Sequence, residues 1–310
     1  MTANVLFAGR ADSWPTYEPL LKAELARRGV NADVRDDFAP EKVDYIVYAP
    51  SGPVSDFTPF TRLKAVLSMW AGVEKIVPVV PAAVPLTRMV DSGLEQGMTE
   101  WVVGHTLRYH LGMDMHIRGL NGRWHRHIPP LAKDRHVTVL GLGALGTASA
   151  KALAALGFDV SGWSRTQKEI EGITCHAGQD GLKTALERAE IVILLLPDTP
   201  ATENTLNSET LALLPMGAKI INPGRGPLID DAALLAALDS GQVGHATLDV
   251  FRIEPLPPEH PYWAHPNVTV TPHIASETRE STAAEVIAEN IRRAEAGEPL
   301  LHLVDRSLGY

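Results

Sequence analysis

Apolar residues fall along this chain in two rhythms. Short unbroken runs at residues 5–7, 45–48 and 65–67 have the pattern of strands covered on both faces, as parallel strands are, and 32–34, interrupted by Asp33, reads as a further strand. Residues 15–28 carry helical spacing instead, with Ser13 as the expected cap and Gly29 as the stop. A long helix is predicted over 94–118, and Gly122, Pro129 and Pro130 make 119–134 a connection. A second series then begins. Strands are expected at 137–140, 158–163, 191–196, 218–221, 245–250 and 268–270, and helices at 144–156, closed by Gly157, and 231–240. A last helix over 277–296 ends at Gly297.

Strands alternating with helices imply parallel sheets with helices on their faces. The alternation restarts inside the long helix and runs to Pro272, so 310 residues read as two α/β units. The final helix follows the second unit directly and is expected to fold back onto the first. A cleft between units is a common place for a ligand.

The strongest chemical signal lies where the second series begins. Residues 137–146 read VTVLGLGALG, which places Gly141, Gly143 and Gly146 in a G-x-G-x-x-G pattern between a strand and a helix. Gly141 permits a tight turn, Gly143 a close approach of backbone to a pyrophosphate, and Gly146 close helix–strand packing. With Ala144 and Leu145, these residues open a helix whose first amides and positive dipole end suit phosphate. The next strand tells which dinucleotide fits. An NAD site usually places Asp or Glu about 20 residues on, against the ribose 2′-hydroxyl. Here the strand ends GWSRTQK without a carboxylate, and Ser164, Arg165, Thr166 and Lys168 offer hydroxyls and cations suited to a 2′-phosphate. NADP(H) is therefore the preferred cofactor, with NAD(H) also possible.

Composition removes other classes. The net charge of -9 disfavours nucleic acid and anionic membranes as partners. A single cysteine, Cys175, allows no internal disulfide and suits a reducing compartment. The opening MTANVLFAGRADSW has no basic segment followed by a long apolar one, and 191–196 is too short to span a bilayer, so a cytoplasmic location is expected. His105, His110, His116, His125 and His127 cluster in sequence without a Cys or carboxylate ligand pattern, and no metal is expected.

Three titratable residues follow strands or sit in turns of the second unit: Arg225 in INPGRGPLID, Glu254 in LDVFRIEPLP and His273 in VTPHIAS. Gly224 and Gly226 would give the backbone freedom around Arg225. An arginine fork can grip a carboxylate and polarise a neighbouring ketone. Histidine can give a proton to an oxygen that gains charge when hydride reaches the adjacent carbon, and a carboxylate on the imidazole favours its charged form. Each residue also has a bland alternative: a structural His after Pro, a turn Glu before Pro, an Arg capping a helix.

The ordered runs LGLGALG, LLLPDTPAT, INPGRGPLID, LDVFRIEPLPPEHPYW and NVTVTPHIA resemble the D-isomer-specific 2-hydroxyacid dehydrogenases. WSRTQK, LAALDSGQV and the C-terminal VDRSLGY are similar to that family's glyoxylate/hydroxypyruvate reductase A group. The resemblance is looser over residues 1–90, where MWAGVEKI is similar to the family's substrate loop. It implies two Rossmann-like domains, with a cofactor domain at 98–273 inserted into a flavodoxin-like substrate domain at 1–97 and 274–310. It implies that His273 is the general acid, that Glu254 orients it, and that Arg225 holds the carboxylate and carbonyl of a small 2-oxo acid. The amides of Gly72 and Val73 would also bind the carboxylate. Asp249 would lie near the nicotinamide, and Met98, Leu196, Pro197, Pro223 and Gly224 would pass along the cofactor. A homodimer is implied too. Trp70, before the AGV loop, either narrows the pocket or packs in the core, and Trp14 is a further candidate for its wall. Two rivals stay open: an NAD(H)-sensing corepressor-like binding protein, and an NAD-linked D-lactate-type dehydrogenase. The absence of disordered tails and the cations at 165 and 168 speak against the first, and the missing acidic residue after Gly162 against the second.

Overall fold

The computed structural model describes residues 2–309, which form two compact units. The first comprises residues 1–94 and 277–310, the second residues 95–276.

The first unit is built on five parallel strands, β1 (Ala3–Ala8), β2 (Ala32–Arg35), β3 (Tyr45–Tyr48), β4 (Ala65–Ser68) and β5 (Leu86–Thr87). Their order is β2-β1-β3-β4-β5, the doubly wound order of flavodoxin-like sheets. Every residue of β3 and β4 is buried, which is why both read as continuous apolar runs. One face of the sheet is covered by helices Trp14–Arg27 and Glu280–Glu295, the latter contributing Ala283, Ala284, Ile287, Ala288 and Ile291 to the core. Trp14 packs on Phe7, with ring centroids 5.3 Å apart, at the edge of that core.

The second unit carries seven parallel strands: β6 (His136–Leu140), β7 (Asp159–Ser164), β8 (Thr174–Ala177), β9 (Ile191–Leu194), β10 (Ala218–Asn222), β11 (Val243–Leu248) and β12 (Val268–Val270). The order β12-β11-β10-β9-β6-β7-β8 reverses direction between β6 and β9. This is the dinucleotide-binding arrangement, and ligands in such sheets lie beyond the strand ends at the reversal. Helix Asp231–Ser240 shows the local logic: the Asp230 carboxylate accepts the Ala233 amide at 3.0 Å, and Gly241 ends the helix at φ +79°.

Several sequence expectations need correction. The helix expected over 94–118 is two helices, Ser92–His110 and Met113–Ile117, because Gly112 turns left-handed at φ +64°. Ser13 does not cap its helix; its hydroxyl donates to the Arg10 carbonyl at 2.7 Å. The strand expected over 191–196 ends at Leu194. Strands β5 and β8 and helix Gly178–Glu187 were not anticipated, β5 being two residues long and β8 without a fully buried residue.

Candidate active site

The glycine loop begins where β6 ends. Gly141 has φ +106°, and a Cβ there would stand 2.5 Å from the Leu195 carbonyl oxygen just past β9. A Cβ on Gly146 would come within 1.8 Å of the Gly141 oxygen, so helix Ala144–Ala155 starts hard against the turn. Gly143 differs: an added Cβ would meet nothing within 4 Å. That open space borders the helix start, where the amides of Ala144, Leu145 and Gly146 have no acceptor inside the helix. A tight turn, a close-packed helix and an open cradle of amides fit a dinucleotide pyrophosphate.

At the end of β7, Arg165 and Thr166 are exposed and the Ser164 hydroxyl donates to the Thr166 carbonyl at 2.8 Å. Among the described residues the Arg165 side chain has no partner. The Lys168 ammonium donates to the Leu142 carbonyl, tying this strand end to the glycine loop. Gly162 was not singled out from sequence. A Cβ there would lie 2.5 Å from the Leu142 side chain, so its smallness seats the loop. Beyond β9, Leu196 is buried and the Pro197 carbonyl accepts the Thr202 hydroxyl at 2.6 Å. Met98, expected along the cofactor, packs in the core with Val102, Val137 and Val139.

Arg225 follows β10 in extended conformation, and its Nη1 donates to the Gly224 carbonyl at 2.6 Å. Buried Asn222 shapes this turn: its Oδ1 accepts the Gly224 amide at 3.1 Å and its Nδ2 donates to the Arg225 carbonyl at 2.9 Å. The flanking glycines do not supply freedom, since neither has a positive φ. They supply closeness. A Cβ on Gly224 would lie 2.7 Å from the Leu194 oxygen, and one on Gly226 would lie 2.0 Å from the Phe251 carbonyl carbon. The arginine turn is thereby packed against the loop that carries Glu254. Pro223 and Gly224 are themselves buried at this turn.

His273 and Glu254 meet. His273 Nδ1 lies 2.7 Å from Glu254 Oε2, and Glu254 Oε1 accepts the Phe251 amide at 2.9 Å. The imidazole is about half exposed, at 51%. Its hydrogen bond to Glu254 raises its pKa, against the opposing effects of desolvation and of Arg225. Burial pushes the Glu254 carboxyl up, but the His273 imidazole, the Phe251 amide and Arg225 outweigh it and leave the group below its ordinary range. The charge of Arg225 is thus felt by both partners.

His273 sits at φ +55°, a left-handed conformation unusual for a side chain of this size. Asp249 accounts for its persistence. This carboxylate is 1% exposed, and it accepts the Thr271 hydroxyl (2.6 Å) and the Ile274 amide (2.9 Å) on Oδ1 and the Ala275 amide (2.9 Å) on Oδ2. The Asp249 carbonyl accepts the His273 amide at 2.8 Å. Asp249 therefore grips the His273 loop on both sides of the imidazole. Thr271 and Asn222, the other residues of this framework, carried no motif signal. The glycine loop, Arg225, Asp249 and His273 follow β6, β10, β11 and β12, so all stand at the carboxyl edge of one sheet.

In the first unit, Gly72 and Val73 follow β4 in a loop anchored by Ser68, whose hydroxyl accepts the Trp70 amide at 2.9 Å. Among the described residues the amides of Gly72 and Val73 have no hydrogen-bond partner. The Trp70 side chain is exposed at 42% rather than packed in the core.

The model of the D-isomer specific 2-hydroxyacid dehydrogenase NAD binding domain matches residues 106–275, which hold the glycine loop, Arg225, Glu254 and His273. The chain belongs to the D-isomer specific 2-hydroxyacid dehydrogenase family. This dehydrogenase is 39% identical over 299 residues to glyoxylate/hydroxypyruvate reductase A of Yersinia enterocolitica, covering 94% of each chain. It superposes with a TM-score of 0.93 on a family member from Xanthobacter autotrophicus Py2 solved in complex with NADPH and MES, at 43% identity over the whole of both chains. An NADPH-dependent glyoxylate/hydroxypyruvate reductase from Sinorhizobium meliloti, solved with NADP and sulfate, gives a TM-score of 0.84 at 35% identity, over 100% of this dehydrogenase and 99% of that chain. By this membership the chain is a nicotinamide-dependent dehydrogenase of two Rossmann-like domains.

Proposed function

We propose that this dehydrogenase reduces a small 2-oxo acid of the glyoxylate or hydroxypyruvate kind to the D-2-hydroxy acid, with NADPH as reductant. The observation that carries this reading is the His273–Glu254 pair at 2.7 Å, with a raised imidazole pKa and the charge of Arg225 beside it. The names of the relatives from Yersinia and Sinorhizobium support the substrate class.

Residues 98–273 form the cofactor domain in this reading, and residues 1–97 with 274–310 the substrate domain. When bound, the reduced nicotinamide supplies a hydride to the ketone carbon. Gly141, Gly143, Ala144, Leu145 and Gly146 would hold the pyrophosphate. Ser164, Arg165, Thr166 and Lys168 would meet the 2′-phosphate, while Leu196, Pro197, Pro223 and Gly224 would line the remainder. Arg225 grips the carboxylate and polarises the ketone. With Nδ1 engaged by Glu254, Nε2 of protonated His273 is left to give its proton to the ketone oxygen as that oxygen gains charge, and the ring ends neutral. Glu254 holds the ring's orientation, and Asp249 holds its loop. The amides of Gly72 and Val73 are assigned to the substrate carboxylate. The working form is proposed to be a cytoplasmic homodimer, a reading supported by exposed Ile117, Trp124, Ile128 and Leu131 within one short segment; a monomer by light scattering would refute the dimer.

Following nucleotide absorbance with glyoxylate or hydroxypyruvate tests the reading. NADPH should be consumed, with kcat/KM well above that for NADH. No consumption of either nucleotide would sink the reductase reading, and a preference for NADH would sink the assigned role of Arg165.

A further inference from the structure

The C-terminal run beginning at Val304 takes no part in the chemistry above, yet it is held in a specific place within the first unit. Leu303 bridges antiparallel to Thr87, the Val304 amide donates to the Leu86 carbonyl at 2.9 Å, and the Arg88 amide donates to the His302 carbonyl at 3.0 Å. The Asp305 carboxylate then accepts the Ser307 amide at 2.9 Å and its hydroxyl at 2.6 Å, which turns the chain at Arg306.

Arg306 donates to four backbone carbonyls. Nη1 reaches Val77 (3.1 Å) and Val80 (2.9 Å), and Nη2 reaches Pro81 (3.1 Å) and Val84 (3.0 Å). All four belong to one segment, a run of turns in which the Val73 carbonyl accepts the Ile76 and Val77 amides (2.8 and 2.9 Å) and the Ile76 carbonyl accepts the Val79 and Val80 amides (both 3.1 Å). Among the described residues no carboxylate lies within ion-pairing distance of Arg306. Its fork therefore caps the Val77, Val80 and Val84 carbonyls, which the turns leave over, and shares the Pro81 carbonyl with the Val84 amide (2.9 Å), a role suited to a planar cation with five donors. The opposite end of the segment is Gly72–Val73. Buried Val73, Ile76 and Val80 seat the segment through apolar contacts, which set depth but not register. The Met89 amide holds the Trp70 carbonyl at 2.9 Å ahead of Gly72, and Arg306 adds four directional bonds beyond Val73.

We infer that Arg306 is a positioning residue for substrate binding: from the far end of the 73–84 segment it holds the Gly72 and Val73 amides in register for the substrate carboxylate. The inference rests on the proposed reduction of a 2-oxo acid. The amide pair binds substrate and transition state alike, so its displacement raises KM more than it lowers kcat.

Steady-state kinetics of Arg306→Gln and Arg306→Lys, with NADPH affinity read by fluorescence titration, test it. In Arg306→Gln, KM for glyoxylate should rise about tenfold or more, with kcat held within about threefold and NADPH affinity unchanged. Arg306→Lys, which keeps the charge and loses the fork, should recover part of the loss. Hydrogen exchange should quicken over 74–84 while β1 and β3 stay protected. If Arg306→Gln does not fold, Arg306→Lys gives the same KM reading. A lowered melting temperature with KM unchanged makes Arg306 a mere tail anchor and overturns the inference. Absence of turnover in the unsubstituted protein overturns the reductase reading and this inference with it, and shows in that arm alone.

Discussion

At the scale of single residues, the His273–Glu254 pair makes a signed statement about pH. In the proposed reduction the protonated imidazole gives the proton, so the rate should fall as pH rises through the His273 pKa, which Glu254 holds above the ordinary imidazole value. The descending limb should therefore lie above that value, and in Glu254→Gln it should move to lower pH. A kcat profile still rising into alkaline pH would contradict the general-acid role. His273→Ala should lose about 10²–10⁴-fold in kcat, the usual range for a positioned acid. Arg225, Glu254 and His273 were legible because each lies in a recognisable run. Asn222 and Thr271 were not, because their work is done through hydrogen bonds from common residues at strand ends. The position of Asp249 was legible, but its role was not, since only the folded chain shows both carboxylate oxygens engaged by the loop around His273.

At the scale of elements, three glycines of the candidate site should respond differently to the same methyl group. Gly143→Ala meets open space in the protein, so folding should be untouched while NADPH affinity falls by about tenfold or more, because the methyl enters the cradle. Gly146→Ala and Gly226→Ala instead drive a Cβ into backbone at 1.8 and 2.0 Å and should each destabilise by about 1–3 kcal/mol or more. Calorimetric melting beside a nucleotide titration separates the two behaviours. Equal melting loss at Gly143 would refute the reading of its open space. Four-residue apolar strands such as β3 and β9 could be read directly, since burial on both faces leaves an unbroken run. β5 and β8 could not: the first is two residues long, and the second pairs at the sheet edge with side chains partly in solvent. The break at Gly112 was hidden because helical spacing resumes in the next turn.

At the scale of the whole molecule, buried imidazoles tie stability to acidity. Burial pushes His245 down to about 4 despite Asp114, and His105 likewise to about 4. Unfolding returns each to its ordinary value of 6.5, so the unfolded chain takes up protons that the folded one refuses. Their contribution is full above that value and is lost as pH falls toward 4. The loss is up to about 3 kcal/mol for one such group. Melting temperatures measured across this window should fall with acidity, and less steeply in His245→Gln; an unchanged slope would mean that His245 is protonated in the folded state.

The helix Glu280–Glu295 lies in the core of a sheet whose strands all come from the first 94 residues. During synthesis, that sheet waits for a covering that leaves the ribosome only after the 182 residues of the second unit have been made. Until then the side of β1, β3 and β4 that will receive Ala284, Ile287 and Ile291 is bare apolar surface, the kind that invites self-association or a chaperone. The dinucleotide-binding unit, continuous in sequence, faces no such delay. The order in which the two halves mature is thus written into where the chain is interrupted.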